Sequence, residues 1–300
     1  MPSPLHVFVT GATGWVGAAV VRELRDAGHE VTGLARDPQK AEALAETGAR
    51  VLHATLDDLD ALRAAASAAD AVIHTAFSHD FSRFAESARQ DQRAIEALGS
   101  ALEGSDRPLI VTSGVALVAP GRVATEADVP SSAPSFPRRS EATARALAER
   151  GVRTATVRLA PSVHGAGDHG FIPILVATAR RTGLSAYIGD GLNRWPGVHR
   201  QDAARLYRLA LEQGTTEPAY HAVADEGVPF RAIAEVIGRR LGLPVQSLDE
   251  PRGREHFGWF TEFVRADMPA SSARTRARLG WNPTGPNLLS DIDQPGYYAA

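Results

Sequence analysis

The sequence predicts an α/β protein: a doubly wound parallel sheet followed by a smaller C-terminal substrate lobe. Three observations lead there. The apolar run Val7-Phe8-Val9 passes into three glycines spaced three apart, Gly11, Gly14 and Gly17, and then into an amphipathic helix pattern. Short apolar strands alternate with helical segments through the first half, the rhythm of right-handed βαβ units. After Pro161 the alternation gives way to a glycine-rich loop, Gly165 to Gly170, and a mixed pattern.

The elements follow in order. Val16, Val20, Val21 and Leu24 mark the buried stripe of the first helix. Glu30 to Ala35 reads as the second strand, and a helix then runs to about Leu44. Arg50 to His53 is the third strand, and acidic residues start a helix over 57–68. Ala71 to His74 is the fourth, with a longer helix over 81–102, and Leu109 to Ser113 is the fifth. A proline- and serine-rich loop, Val129 to Pro137, precedes a helix over 140–150, and Arg153 to Leu159 is the sixth strand. Further helices are expected over 171–180, 202–211 and 272–279, ending in an irregular tail. Residues 1–160 are therefore assigned to the sheet domain, with 198–222 returning to it, and 161–300 mainly to the lobe.

A chain of 300 residues is long enough for such a domain and its lobe. The net charge of −3 gives no electrostatic case for nucleic acid or for an anionic membrane. No apolar run approaches the roughly 18 residues of a spanning helix, and no signal peptide is visible, so the cytoplasm is expected. There are no cysteines, which removes disulfides, thiolate nucleophiles and cysteine metal sites. Lys40 is the single lysine; every other fixed cation is arginine, whose pKa is too high for proton transfer near neutrality. The expected partner is a small-molecule substrate, with homodimer packing left open.

The glycine turn carries the first functional reading. Gly11 allows a tight turn, Gly14 lets backbone amides approach a pyrophosphate, and Gly17 lets the helix pack close to the strand. At the end of the second strand, an acidic residue would bind the adenosine ribose and favour NAD. Arg36 stands there instead, with Lys40 one turn on. Arginine can stack on adenine and pair with a 2′-phosphate, so NADP(H) is expected. The alternative is that both are solvated surface charges.

The Thr10-Gly11-x-x-Gly14-x-x-Gly17 form resembles the extended short-chain dehydrogenase/reductases, the epimerase/dehydratase-like Rossmann family, and the resemblance covers most of the chain. It implies that Gly11, Thr13, Gly14, Trp15, Val16 and Gly17 hold the pyrophosphate. Thr55-Leu56 resembles the adenine-contacting position, although Asp is usual where Thr55 stands. His74-Thr75-Ala76-Phe77 resembles the segment under the cofactor, which brings in Ala76 and Phe77. Thr112-Ser113-Gly114 matches the end of the fifth strand, which brings in Thr112 as a cofactor-binding residue. Arg158 to Gly165 resembles the segment beside the nicotinamide, which brings in Pro161 and Val163. The stretches 189–194 and 198–204 resemble later parts of the lobe and the return helix.

The resemblance also implies a tyrosine with a lysine four places later, the proton relay of the family. Aligned on the serine that commonly precedes the lysine, Pro137 takes the tyrosine place and Glu141 the lysine place. None of the five tyrosines is followed by lysine at that spacing. The chain is therefore read as an atypical member. Glu141 could accept hydrogen bonds from ribose hydroxyls, but its negative charge would not depress a neighbouring acid's pKa.

Ser113 and His164 are the candidate catalytic residues. Ser113 either orients a carbonyl or makes a strand-terminal hydrogen bond; His164 is either a general acid or a structural residue of its turn. His169, Tyr187 and His199 are weaker candidates. His164, Asp168 and His169 lack a fourth ligand, so no metal site is expected. The aromatic run His256 to Phe263 reads as a lid over the nicotinamide or as core or dimer packing, and Trp195 has the same two readings. A site poor in acids suits an acceptor that is already cationic or highly activated. The main expectation is an NADP(H)-dependent oxidoreductase acting on a small, partly apolar carbonyl or imine. Its rivals are an NADP(H)-binding redox sensor and a sugar epimerase or dehydratase.

Overall fold

Strand by strand, apolar runs too short for helices build the centre of the protein, seen in a computed structural model that describes residues 3–78, 80, 83–116, 118–130 and 137–299. The first six strands are β1 (His6–Thr10), β2 (Glu30–Ala35), β3 (Arg50–His53), β4 (Ala71–His74), β5 (Leu109–Gly114) and β6 (Thr154–Leu159). Three lobe strands follow, β7 (Ser162–His164), β8 (Ser185–Ile188) and β9 (Arg194–His199), before the chain returns with β10 (Ala219–Ala222). The seven-stranded central sheet has the order β10-β6-β5-β4-β1-β2-β3, and every pairing in it is parallel. A parallel sheet is covered on both faces, which is why β4, Ala-Val-Ile-His, is buried throughout.

The helices of this half are α1 (Trp15–Asp26), α2 (Pro38–Ala45), α3 (Leu59–Ser67), α4 (Phe84–Ser100) and α5 (Ser140–Glu149), followed by α6 (Phe171–Thr182) and α7 (Arg200–Glu212). Alternation along the strands sorts the core into two layers. Val7, Val9 and Ile110 pack with α1 and α7 on one face. Phe8, Val72, Leu109 and Val111 pack with α3, α4 and α5 on the other. Strand order reverses between β1 and β4, so a crevice opens at the carboxyl ends of those strands.

The lobe combines a three-stranded sheet, β7 and β9 with β11 (Asp225–Pro229), and a parallel pair, β8 with β12 (Val245–Leu248). Helices α6, α8 (Phe230–Leu241), α9 (Glu250–Phe257) and α10 (Thr261–Arg265) surround them. Trp195, Phe230, Phe257 and Phe260 form the core of the lobe. The aromatic run is thus core rather than lid, with Trp259 alone of its buried-or-open rings left 57% exposed.

Beyond residue 211 the sequence predicts a mixed pattern, and the structure is more regular. Helix α8 places Phe230, Ile233, Ala234, Val236 and Ile237 on one buried stripe. Helix α11 (Ala273–Leu279) packs on β10 and α7, and Trp281 joins the core of the sheet domain. The tail is not irregular: α12 (Leu288–Ile292) is capped by the Asn287 side chain, which accepts from the Ser290 amide, and it buries Leu288 and Ile292 in the lobe. The expected start of the long helix at residues 81 and 82, and residues 131–136 of the proline-rich loop, lie outside the described residues. Among the described residues, no helix is long and apolar enough to cross a membrane.

Candidate active site

The crevice has two walls. The first is the turn from β1 into α1. Gly11 has φ +67°, in the left-handed region, and its carbonyl accepts from the Gly14 amide at 2.8 Å. A Cβ on Gly11 would lie 2.6 Å from the Ala76 nitrogen; on Gly17 it would lie 2.0 Å from the Gly11 carbonyl oxygen. Gly11 is therefore demanded by packing against the chain leaving β4, and Gly17 by packing against the Gly11 carbonyl of its own turn and the Thr75 hydroxyl. Gly14 differs. It is exposed, and a Cβ there would meet only the Gly11 oxygen, at 3.1 Å. Helix α1 begins with no side-chain cap and no acidic residue in its first turn, so its positive end and first amides are open to an anion. An open cradle at Gly14 over an uncapped helix start fits the pyrophosphate of a dinucleotide.

Within that turn Thr13 and Val16 are half-buried, and Val16 packs on the sheet core. Trp15 does more than offer its amide. Its indole Nε1 donates to the Val163 carbonyl at 2.7 Å, the Arg200 guanidinium lies 4.2 Å over the ring, and His169 meets it edge-on. The turn is thereby tied to the loop after β7. Pro161 is half-buried in the link between β6 and β7.

At the end of β2, Arg36 and Lys40 are exposed, and among the described residues neither side chain has a hydrogen-bond or ion-pair partner. Asp37 is occupied as the cap of α2, accepting from the Lys40 amide. Thr55 gives both its amide and its hydroxyl to Asp58, at 2.7 and 2.8 Å, so the hydroxyl serves the turn before α3. Leu56 packs on the core beneath.

The second wall lies where β4, β5 and α5 meet, and a buried polar chain runs through it. Thr10 Oγ1 and His74 Nδ1 are 2.8 Å apart, and His74 Nε2 lies 3.0 Å from Asp91 Oδ1. Ser140 donates to the other Asp91 oxygen at 2.6 Å, and Arg138 Nε donates to Ser140 Oγ at 2.9 Å. Arg138 Nη2 also donates to the Thr112 carbonyl at 3.0 Å, and its guanidinium lies 4.1 Å over the Phe77 ring. Thr112 Oγ1 donates to the His74 carbonyl and lies 2.7 Å from the Tyr207 hydroxyl. Burial lowers the Arg138 pKa, partly offset by the nearby Asp91 charge, and it raises the Tyr207 pKa.

Ser113, next to last in β5, lies beside this chain, half-buried, opposite Arg158 in the register of β6. Its hydroxyl has no hydrogen-bond partner among the described residues.

Two expectations need correction. Glu141 does not face a ribose. Arg158 Nε and Nη2 hold its two carboxylate oxygens at 2.8 and 2.5 Å, and both side chains are buried. A buried guanidinium in an apolar strand needs a countercharge, and α5 packs directly on β6. His164 is fully buried, its Nε2 without a hydrogen-bond partner among the described residues, and its other nitrogen is engaged in the turn, the structural one of its two readings. Its Nδ1 lies 2.9 Å from Asp291, which also accepts from Tyr297, while Tyr297 accepts from the Gly165 amide. Burial pulls the Asp291 pKa upward, but these hydrogen bonds outweigh it and hold the carboxyl below its usual value. Desolvation lowers the neighbouring His199 pKa. Asp168, in the following loop, is pushed up to about 6 by burial. Tyr187 sits in the lobe under Arg231.

Sequence reasoning missed Arg138, Asp91, Asp291 and Tyr297. Asp91 left a signal, because it interrupts the stripe Ala88, Ile95, Leu98 on the buried face of α4. The tail residues left none, since their roles depend on where α12 docks.

Residues 7–223 match the NAD dependent epimerase/dehydratase family. The chain is 47% identical to uncharacterized protein C2A9.02 of Schizosaccharomyces pombe over 297 residues, covering 98% of this chain and 100% of that one. It is 28% identical to a 3-diazoavenalumate denitrifying reductase of a Streptomyces species, covering 94% of this chain and 97% of the relative. Among solved structures, the dTDP-glucose 4,6-dehydratase DesIV of Streptomyces venezuelae, with NAD and TYD bound, superposes with a TM-score of 0.74. That alignment covers 98% of this chain and 96% of the other at 20% identity, a likeness of fold alone.

Proposed function

The chain belongs to the NAD dependent epimerase/dehydratase family, and from that premise we propose that it is an NADP(H)-dependent oxidoreductase acting on a small, electron-poor carbonyl or imine compound. The observation that carries this reading is the uncapped start of α1 behind the open Gly14 at the switch point. The bound nicotinamide would supply or receive the hydride. Gly14 and the amides of Trp15 and Val16 hold the pyrophosphate. Arg36 and Lys40, both without partners among the described residues, give the adenosine end two free cations for a 2′-phosphate. Relatives of this fold hold NAD, so the phosphate preference rests on those two residues.

At the reacting end, Ser113 offers a hydroxyl to the acceptor oxygen or nitrogen. With no tyrosine poised to give a proton, the site favours acceptors that take hydride readily. One relative carries the name of a reductase of a diazo compound, and a diazo group is electron-poor in this sense.

The test is a fluorescence titration with NADPH and NADH, followed by turnover on a panel of aldehydes, ketones and cyclic imines. Arg36→Ala should weaken NADPH about 10–100-fold, the worth of a charge-assisted contact to phosphate, and leave NADH unchanged. Equal loss for both would overturn the NADP(H) preference. Tight binding with no turnover of any acceptor would overturn the enzyme reading in favour of a binding module.

A further inference from the structure

We propose that Arg138 is the residue that meets the acceptor, and that it makes this crevice a site for molecules with an anionic oxygen, a carboxylate or phenolate, beside the reducible group. The inference rests on the reading of the crevice as a hydride-transfer site. It names a substrate class that the sequence alone would have placed the other way, since an acid-poor site by itself suits a cationic acceptor.

Arg138 stands one residue after Pro137, the place read for the family's tyrosine, and its guanidinium reaches the end of β5. One side of the guanidinium is held by Ser140 and by the Thr112 carbonyl. One face rests on Phe77, 4.1 Å away, in the segment that leaves β4 at the switch point. Nη1 has no hydrogen-bond partner among the described residues. The countercharge is set back: Asp91 is 1% exposed and reaches Arg138 only through Ser140, with His74 on its far oxygen. Arg138 is half-buried. The carboxylate therefore lies deeper than the cation, with Ser140 between them.

A guanidinium anchored on one edge and stacked on a ring is pre-organised to bind oxygen with its remaining donors. A desolvated arginine attracts an anion strongly, and it repels an iminium ion for the same reason. Arginine cannot hand over a proton, so it orients the acceptor and offsets its charge without acting as the acid.

The test uses the full-length protein loaded with NADP⁺ and the probes benzoate, benzyl alcohol and benzylammonium, measured by calorimetry. Benzoate is expected to bind, and benzylammonium is not. Arg138→Met should weaken benzoate about 10–100-fold, the range of a hydrogen bond to a charged group, while NADPH affinity stays within about threefold. Arg138→Lys keeps the charge but loses the fork, and should weaken benzoate by a smaller factor. If Arg138→Met fails to fold, Arg138→Lys decides alone. Wild-type benzoate affinity in a folded variant, or equal binding of benzoate and benzylammonium to the native protein, overturns the proposal. A native protein that binds NADPH and benzoate but turns over no acceptor would overturn the oxidoreductase reading, and with it the reducible group beside the anion, while Arg138 would stand as an anion site only. Failure to bind NADPH would remove the cofactor premise itself.

Discussion

The two walls of the crevice are built in opposite ways. The glycine turn works through atoms it lacks: Gly11 and Gly17 leave room for the backbone of their own turn and of the chain leaving β4. The facing wall works through side chains gathered from β1, β4, α4, α5 and the approach to α5, each holding the next from Thr10 to Arg138. A wall made of backbone geometry has few substitutes, because almost any side chain destroys it. A wall made of side chains can exchange its chemistry while the fold stays. That difference accounts for a chain that keeps the family's dinucleotide turn and has no Tyr-x-x-x-Lys pair opposite it.

The largest effect is expected in the side-chain wall, at Glu141. Removing one member of a buried ion pair costs about 3–5 kcal/mol, because the other charge is left without a partner. Glu141→Ala should therefore lower the urea midpoint sharply, with NADPH affinity of the folded fraction unchanged. The reverse pattern, intact stability with weak NADPH binding, would return Glu141 to the ribose and undo the contrast between a pinning pair on β6 and a working cation at Arg138.

In the glycine wall the contrast is sharpest within the turn itself. Gly17→Ala forces a Cβ to 2.0 Å from a carbonyl oxygen that cannot rotate away. Overpacking usually costs about 1–3 kcal/mol, and this site should reach the upper end. Gly14→Ala brings a Cβ only to 3.1 Å from the Gly11 oxygen, a tight contact that a shift of a few tenths of an ångström relieves, so its stability should fall far less than that of Gly17→Ala while its dinucleotide affinity falls. Thermal unfolding of the two variants, each with and without NADPH, separates them. Equal destabilisation would mean that Gly14, like its neighbours, is held by packing rather than by a ligand.

Legibility followed the same division. The turn and the six strands before Pro161 could be read because each is set by residues close in sequence. The fourth strand shows this: Ala71 to His74 has a pattern that needs nothing beyond itself. Arg138 could not be read as part of a site, since only the packing of α4 against α5 brings Asp91 to Ser140. Glu141 was misassigned for a related reason. The helix alignment gave its place in the chain, while its direction was decided by Arg158 on a neighbouring strand. His164 looked available in sequence and is closed over by Asp291 and Tyr297, which lie more than a hundred residues later.

The smallest expected effect is at Asp168, in the loop after β7 that packs beside Trp15. Burial raises its pKa from 3.8 to about 6, against the pull of the Gly170 amide and of His164 and His169. The native state therefore prefers the protonated acid. The stability this group contributes is fully present below about pH 4 and is lost as pH rises through 6. At pH 8 the native carboxylate costs at most about 3 kcal/mol, and less if solvent relaxes around it. Asp168→Asn is neutral at every pH and keeps an oxygen for the Gly170 amide, which Asp168 now holds at 2.7 Å. Its melting temperature should match the wild type at pH 4 and exceed it by a few degrees at pH 8. A gap that is present at both pH values would mean that the substitution acts through packing. A lower melting temperature at pH 8 would mean that the carboxylate is held charged by the histidines, and that the loop is fixed by side chains in the manner of the Arg138 wall rather than the glycine wall.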